Sequence, residues 1–192
     1  MPTTVYLIRH AQSDFSARDD RSRPLTERGL RASHAVTRAL AGRRLDRLFA
    51  SPFKRAHDTI LNLALERGLP ITPVEAFRER KVDDGWVDDF EAFARRQWAD
   101  FDHKQGSGEC LREVQARSVA ALEDLLRRHE GEHFAIAGHG TALCTLLHTF
   151  DPAFGFEDFW ALVDRTPFVL EARFEGTHCL GLEDLDLGPH PL

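Results

Sequence analysis

Cysteine is scarce in this 192-residue chain: Cys110, Cys144 and Cys179 lie far apart and form no CxxC. That spacing supports neither a zinc site nor a disulfide framework. A signal-peptide pattern and long apolar runs are lacking too. Together these absences give the expectation of a cytoplasmic chain with reduced thiols and no membrane partner. A basic excess is also missing, since 25 Lys and Arg stand against 31 Asp and Glu for a formal net charge of −6. Binding along a phosphate backbone needs a basic face, so nucleic acid is not an expected partner. Any anion site must then be a local pocket of positive charge in an acidic protein. No HxH, HExxH or clustered-carboxylate pattern accompanies the histidines, so neither a metal nor another cofactor is expected. Internal repeats and low-complexity linkers are absent as well, which fits one continuous domain over residues 1–192.

What is present is ordinary in bulk, with 42% hydrophobic and 29% charged residues, and long enough for one sizeable core. "TTVYLIR" near the N-terminus reads as a first strand. "TERGLRASHAVTRALAGRRL" reads as a helix with Thr26 as its N-cap, and "DRLFAS" as a short buried strand. "KRAHDTILNLALERGL" is helical, with Gly68 and Pro70 as stop signals. "ITPVEAF" is a strand in which Pro73 indicates an edge or a bulge. "LREVQARSVAALEDLLRRH" is a strongly amphipathic helix. "HFAIAGHG" is a strand running into a glycine-flanked turn, and "TALCTLLHTF" is the helix after it. "PFVLEARFEGTHCLGLEDL" reads as a hairpin turning at Glu175-Gly176. The alternation implies a three-layer α/β/α sandwich with a largely parallel central sheet.

In such sheets functional groups collect beyond the carboxyl ends of the strands. That rule selects Arg9-His10, the stretch from Ser51 to Arg55, Arg78-Glu79 and Gly138-His139-Gly140. Most arginines are solvated surface groups, but Arg9 and Arg55 each closely follow a buried run, where a charge needs a partner. A guanidinium suits a phosphate, which it grips through two parallel N–H bonds. A lone histidine is commonly a satisfied core residue. His10 and His139 together are harder to dismiss, because His139 sits between two glycines at the start of a helix that offers N–H donors to an anion. Glu79 is the one acid well placed among the arginines. Two arginines, two histidines and one acid fit phosphoryl transfer. One neutral imidazole attacks phosphorus, the other, if protonated, stabilises the transferring charge, and the carboxylic acid protonates the leaving alkoxide.

Over nearly its whole length the chain resembles the histidine phosphatase superfamily, also called the phosphoglycerate mutase-like family. The resemblance rests on "RHAQS", "LTERG", "SPFKRAHDTI", the acid of "FRER", the "GSGEC" turn and "AGHGTAL", in that order. It implies that His10 is the phosphohistidine nucleophile and Glu79 the proton donor. Arg9 and Arg55 become the phosphate clamps, and His139 the second phosphate-binding histidine. Gln12, Ser16, Gly140 and Trp86 join the substrate-binding set. The chain departs from the family pattern at Ala11, Gln12, Ser16, Asp58, Arg80 and Cys110, which points to a divergent substrate preference.

"DDGWVDDFEAFARRQWADFD", within residues 80–108, is the expected lid or specificity insertion. Phe90, Phe93, Trp98 and Phe101 recur at helical spacing, as in a helix packed on the body. Trp86 precedes that pattern and is the residue expected to face substrate. The insertion is modest and only "EDLDLGPHPL" follows the last apolar run. An exposed phosphoenzyme favours hydrolysis of a small phosphorylated metabolite. Mutase-type phosphotransfer, phosphohistidine hydrolysis on proteins and a non-catalytic phospho-ligand module are the alternatives. A homodimer stays open.

Overall fold

The computed structural model describes residues 1–83 and 87–188. Strand β1 (Thr3–Arg9) is buried on both faces, which is why its sequence is almost uninterruptedly apolar rather than alternating. Val5 and Leu7 face a core formed with Phe134, Ile136 and the leucines of helices α4 (Leu111–Arg128) and α5 (Gly140–Phe150). Tyr6 and Ile8 face the opposite core, formed with α1 (Glu27–Leu40) and α2 (Lys54–Arg67). These are the two helical layers of the sandwich.

The central sheet has six strands in the order β3 (Ile71–Pro73), β2 (Arg47–Ala50), β4 (His133–Gly138), β1, β5 (Phe168–Glu175) and β6 (His178–Leu185). The first four run parallel. The hairpin of β5 and β6 adds to β1 antiparallel. In the parallel block, register pairs Arg9 with Gly138 and Ala50 with Ala137, so the chain leaves these strands along one rim.

Some elements differ from the sequence reading. α1 stops at Leu40 instead of continuing to Leu45, because the Arg67 guanidinium of α2 takes the carbonyls of Leu40 and Ala41 that another turn would use. β3 is confined to three residues at the sheet edge, where Pro73 has no N–H to give, and Glu75–Phe77 forms a 3₁₀ turn. A short helix α6 (Phe156–Ala161) was not anticipated. It packs on α3 (Phe90–Ala99) through Phe159, which stacks on Trp98 at 5.4 Å between ring centroids. Phe93 and Trp98 are buried, as the helical spacing of the aromatics implies. Trp86 lies outside the described residues. Among those described, no helix is long and apolar enough to cross a membrane.

Candidate active site

His10 is the first residue past β1. Its N–H donates to the Gly138 carbonyl at 3.0 Å, and its own carbonyl accepts from Thr166 Oγ1 at 2.5 Å. The imidazole Nδ1 lies 2.7 Å from the Ala11 carbonyl oxygen. A carbonyl can only accept, so Nδ1 carries the proton and Nε2 keeps its lone pair. Facing that lone pair is Arg55, whose Nε–H donates to His10 Nε2 at 3.3 Å. Burial, then the positive charge of Arg55, pushes the His10 imidazole down to about 3.

Arg55 stands in the first turn of α2, almost wholly buried, over the face of Phe53 at 5.0 Å. Its Nη1 donates to the Asp20 carbonyl at 2.6 Å and lies 3.1 Å from the Asp20 carboxylate. Thr59 ties this turn to the nucleophile segment: its Oγ1 accepts from Ala11 N at 2.9 Å and donates to the Arg55 carbonyl at 2.7 Å.

His139 caps α5 and is fully buried, with its ring centroid 5.2 Å from that of His10. Its Nε2 lies 2.7 Å from Ser51 Oγ, while Nδ1 is buried without a partner. Burial, followed by the nearby Arg55 charge, holds this imidazole well below its ordinary range. In the free site this disfavours the protonated form on which charge stabilisation by the second imidazole was conditional.

Glu79 reaches the N-terminus of α5, where its Oε2 accepts from Thr141 N at 3.2 Å. Its Oε1 accepts from Arg80 N at 2.7 Å. The two bonds fix the carboxyl on the histidine rim. Arg9 donates through Nη1 to the carbonyls of Leu162 and Arg165, and its buried Nε has no partner. Gly140 makes room for it, since a Cβ there would lie 3.2 Å from the guanidinium carbon.

Other residues named from sequence sit differently. The Gln12 side chain accepts from Thr26 Oγ1 at 2.9 Å, which ties it to the start of α1. Ser16 is exposed and its N–H donates to Asp14 at 2.9 Å. No hydrogen bond joins either residue to the histidine pair. Three residues close to the cluster escaped sequence reading: Asp20, Arg23 and Thr59. Ser51 and Thr59 belong to the same strand exit and helix face as Arg55, a helical spacing that marks Thr59 in retrospect. Asp20 and Arg23 sit on a loop whose path no periodicity encodes.

The arrangement thus combines an imidazole whose Nε2 lone pair faces Arg55, guanidinium groups on its flank, a second buried imidazole and a backbone-fixed carboxyl. Among the described residues no cluster of three or more His, Cys, Asp or Glu is arranged to hold a metal ion.

Comparison with known proteins finds relatives in both sequence and fold. A model described as the histidine phosphatase superfamily (branch 1) matches residues 5–178. Phosphoserine phosphatase 1 of Hydrogenobacter thermophilus is 26% identical over 165 residues, covering 74% of this chain and 75% of that protein. A metal-independent phosphoserine phosphatase of Arabidopsis thaliana is 28% identical over 156 residues, 73% of this chain and 66% of its own. Among solved structures, Bacillus stearothermophilus YhfR superposes with a TM-score of 0.74 at 26% identity, covering 92% of this chain and 94% of that one.

Proposed function

This chain belongs to the histidine phosphatase superfamily, and from that premise we propose that it hydrolyses phosphomonoesters of small metabolites through a phosphohistidine formed on His10. The observation that carries the proposal is the His10 ring itself. Its Nδ1–H is engaged by the Ala11 carbonyl, and its Nε2 lone pair is presented to a buried guanidinium.

The substrate phosphoryl group displaces the Arg55–His10 hydrogen bond and takes up the freed N–H donors of Arg55 and the unpartnered Nε of Arg9. Ser51 Oγ accepts from Phe53 N at 3.2 Å, so its own O–H is free to donate to His139 Nε2. In that tautomer His139 Nδ1–H is a further donor to a phosphoryl oxygen. His10 Nε2 attacks phosphorus, the ester P–O bond breaks, and the protonated Glu79 gives its proton to the leaving alkoxide. Water then attacks the phosphohistidine, Glu79 takes the proton from that water, and the P–N bond breaks to return neutral His10 and inorganic phosphate.

No step needs a metal. Residues 80–108 serve as the specificity element: α3 is anchored by Arg80, whose buried guanidinium donates to Gln97 and lies 5.6 and 5.4 Å from the Phe90 and Phe93 rings. The names of the two curated relatives support phosphoserine as a first substrate to try. The test is a panel of nitrophenyl phosphate, phosphoserine and phosphoglycerates, run with and without a chelator. Hydrolysis that survives chelation is the expected result. Complete loss on chelation, restored by a divalent ion, would contradict the reading.

A further inference from the structure

Asp20 makes the closest contacts to the Arg55 guanidinium. Its carboxylate Oδ1 lies 3.1 Å from Arg55 Nη1 and 2.9 Å from Arg23 Nη1. Its backbone carbonyl accepts from the same Arg55 Nη1 at 2.6 Å. One guanidinium nitrogen is therefore held twice by one residue. Nη1 lies off the fork formed by Nε and Nη2, and it is Nε that meets His10 Nε2 at 3.3 Å. Asp20 thus holds Arg55 by the edge turned away from the nucleophile.

The loop that carries Asp20 is itself tied down on both sides. Lys54 N, at the start of α2, donates to the Arg21 carbonyl at 2.9 Å. The Arg21 guanidinium forms a two-pronged pair with Glu75 at 3.1 and 3.2 Å. Asp19 accepts from Arg21 N at 3.2 Å and from Ser22 Oγ at 2.5 Å. Arg23 stacks over Phe15 at 4.9 Å, so the brace on Asp20 is held in turn.

We propose that Asp20 is the positioning residue of the phosphate clamp: braced by Arg23, it fixes the Arg55 guanidinium so that its Nε–Nη2 fork faces the phosphoryl group on His10. This rests on the phosphatase reading of the site. An arginine side chain has several rotatable bonds, and an unheld fork loses the alignment that two parallel N–H bonds require. Asp20 would then govern oxyanion affinity without touching the oxyanion.

The full chain carrying Asp20→Ala or Asp20→Asn is compared with the parent for KM and kcat on nitrophenyl phosphate and for inhibition by orthovanadate. D20A should weaken orthovanadate inhibition and raise KM by about tenfold, since misplacement of a positioning group costs one to two orders of magnitude. D20N should recover most of that loss, because its amide oxygen can accept the same N–H bonds and the backbone carbonyl is unchanged. A D20A variant that binds orthovanadate as tightly as the parent, or more tightly, would overturn the proposal. So would a fall in kcat at unchanged KM and inhibition, which is the signature of fewer folded molecules. A parent that neither turns over phosphomonoesters nor binds orthovanadate would instead defeat the functional reading, and this inference with it.

Discussion

Glu79 separates proton transfer from phosphate binding. The backbone N–H groups of Arg80 and Thr141 hold its two carboxyl oxygens, so its amide counterpart keeps the size of the side chain but accepts only one of these bonds. An alkoxide leaves poorly without a proton, and general acid catalysis contributes about 10²–10⁴-fold. A nitrophenolate is already a stable anion. E79Q should slow single-turnover phosphorylation of His10 by an alkyl phosphate by about that range and by nitrophenyl phosphate far less. Equal slowing of both would make Glu79 a positioning residue. His10, Arg55, His139 and Glu79 could be singled out from sequence because each follows a strand closely, where a polar group in an apolar context demands a reason. Asp20 could not, since a half-exposed loop carboxylate looks like any other until the fold brings it to Arg55.

At the scale of elements, the segment that follows β3 depends on the turn before α4. Glu109 accepts two-pronged from Arg78, and also from Arg117 at 3.0 and 3.2 Å. Arg117 reaches the carbonyls of Ala76 and Arg78 at 2.6 and 2.8 Å, so one carboxylate binds α4 to the segment that ends in Glu79. Burial alone would push the Glu109 carboxyl up, but Arg78 and Arg117 hold it down at about 2. A folded value below the unfolded one means that the unfolded chain binds the proton first. The stabilisation is therefore full above the ordinary carboxylate range and is lost as pH falls toward about 2. E109Q should cost about 1–2 kcal/mol in denaturant unfolding at pH 7, a figure discounted for partial solvent screening. The gap to the parent should narrow at pH 3. A gap that stays constant with pH would show that Glu109 acts through packing rather than charge. Helix α1 was legible in its first turn, where Thr26 Oγ1 accepts from Gly29 N at 3.0 Å, and illegible in its last, where a guanidinium from another helix decides the end.

For the whole molecule, the parallel block could be read from apolar runs alternating with amphipathic helices, because strands buried on both faces leave little choice of residue. The antiparallel hairpin followed from two runs around Glu175-Gly176. The six-residue α6 did not, being too short to show a helical period, and it is this helix that carries Trp98 and α3 against the body. The rim so formed concentrates Arg9 and Arg55 in a chain of net charge −6, the local positive pocket that its composition required of any anion site. The proposed function places a covalent intermediate at one atom, His10 Nε2. Rapid quenching of the parent with a ³²P-labelled phosphomonoester tests that directly. The account predicts an acid-labile, base-stable label on the His10 peptide, absent from H10A. Label on a serine, or label that persists in H10A, would contradict it.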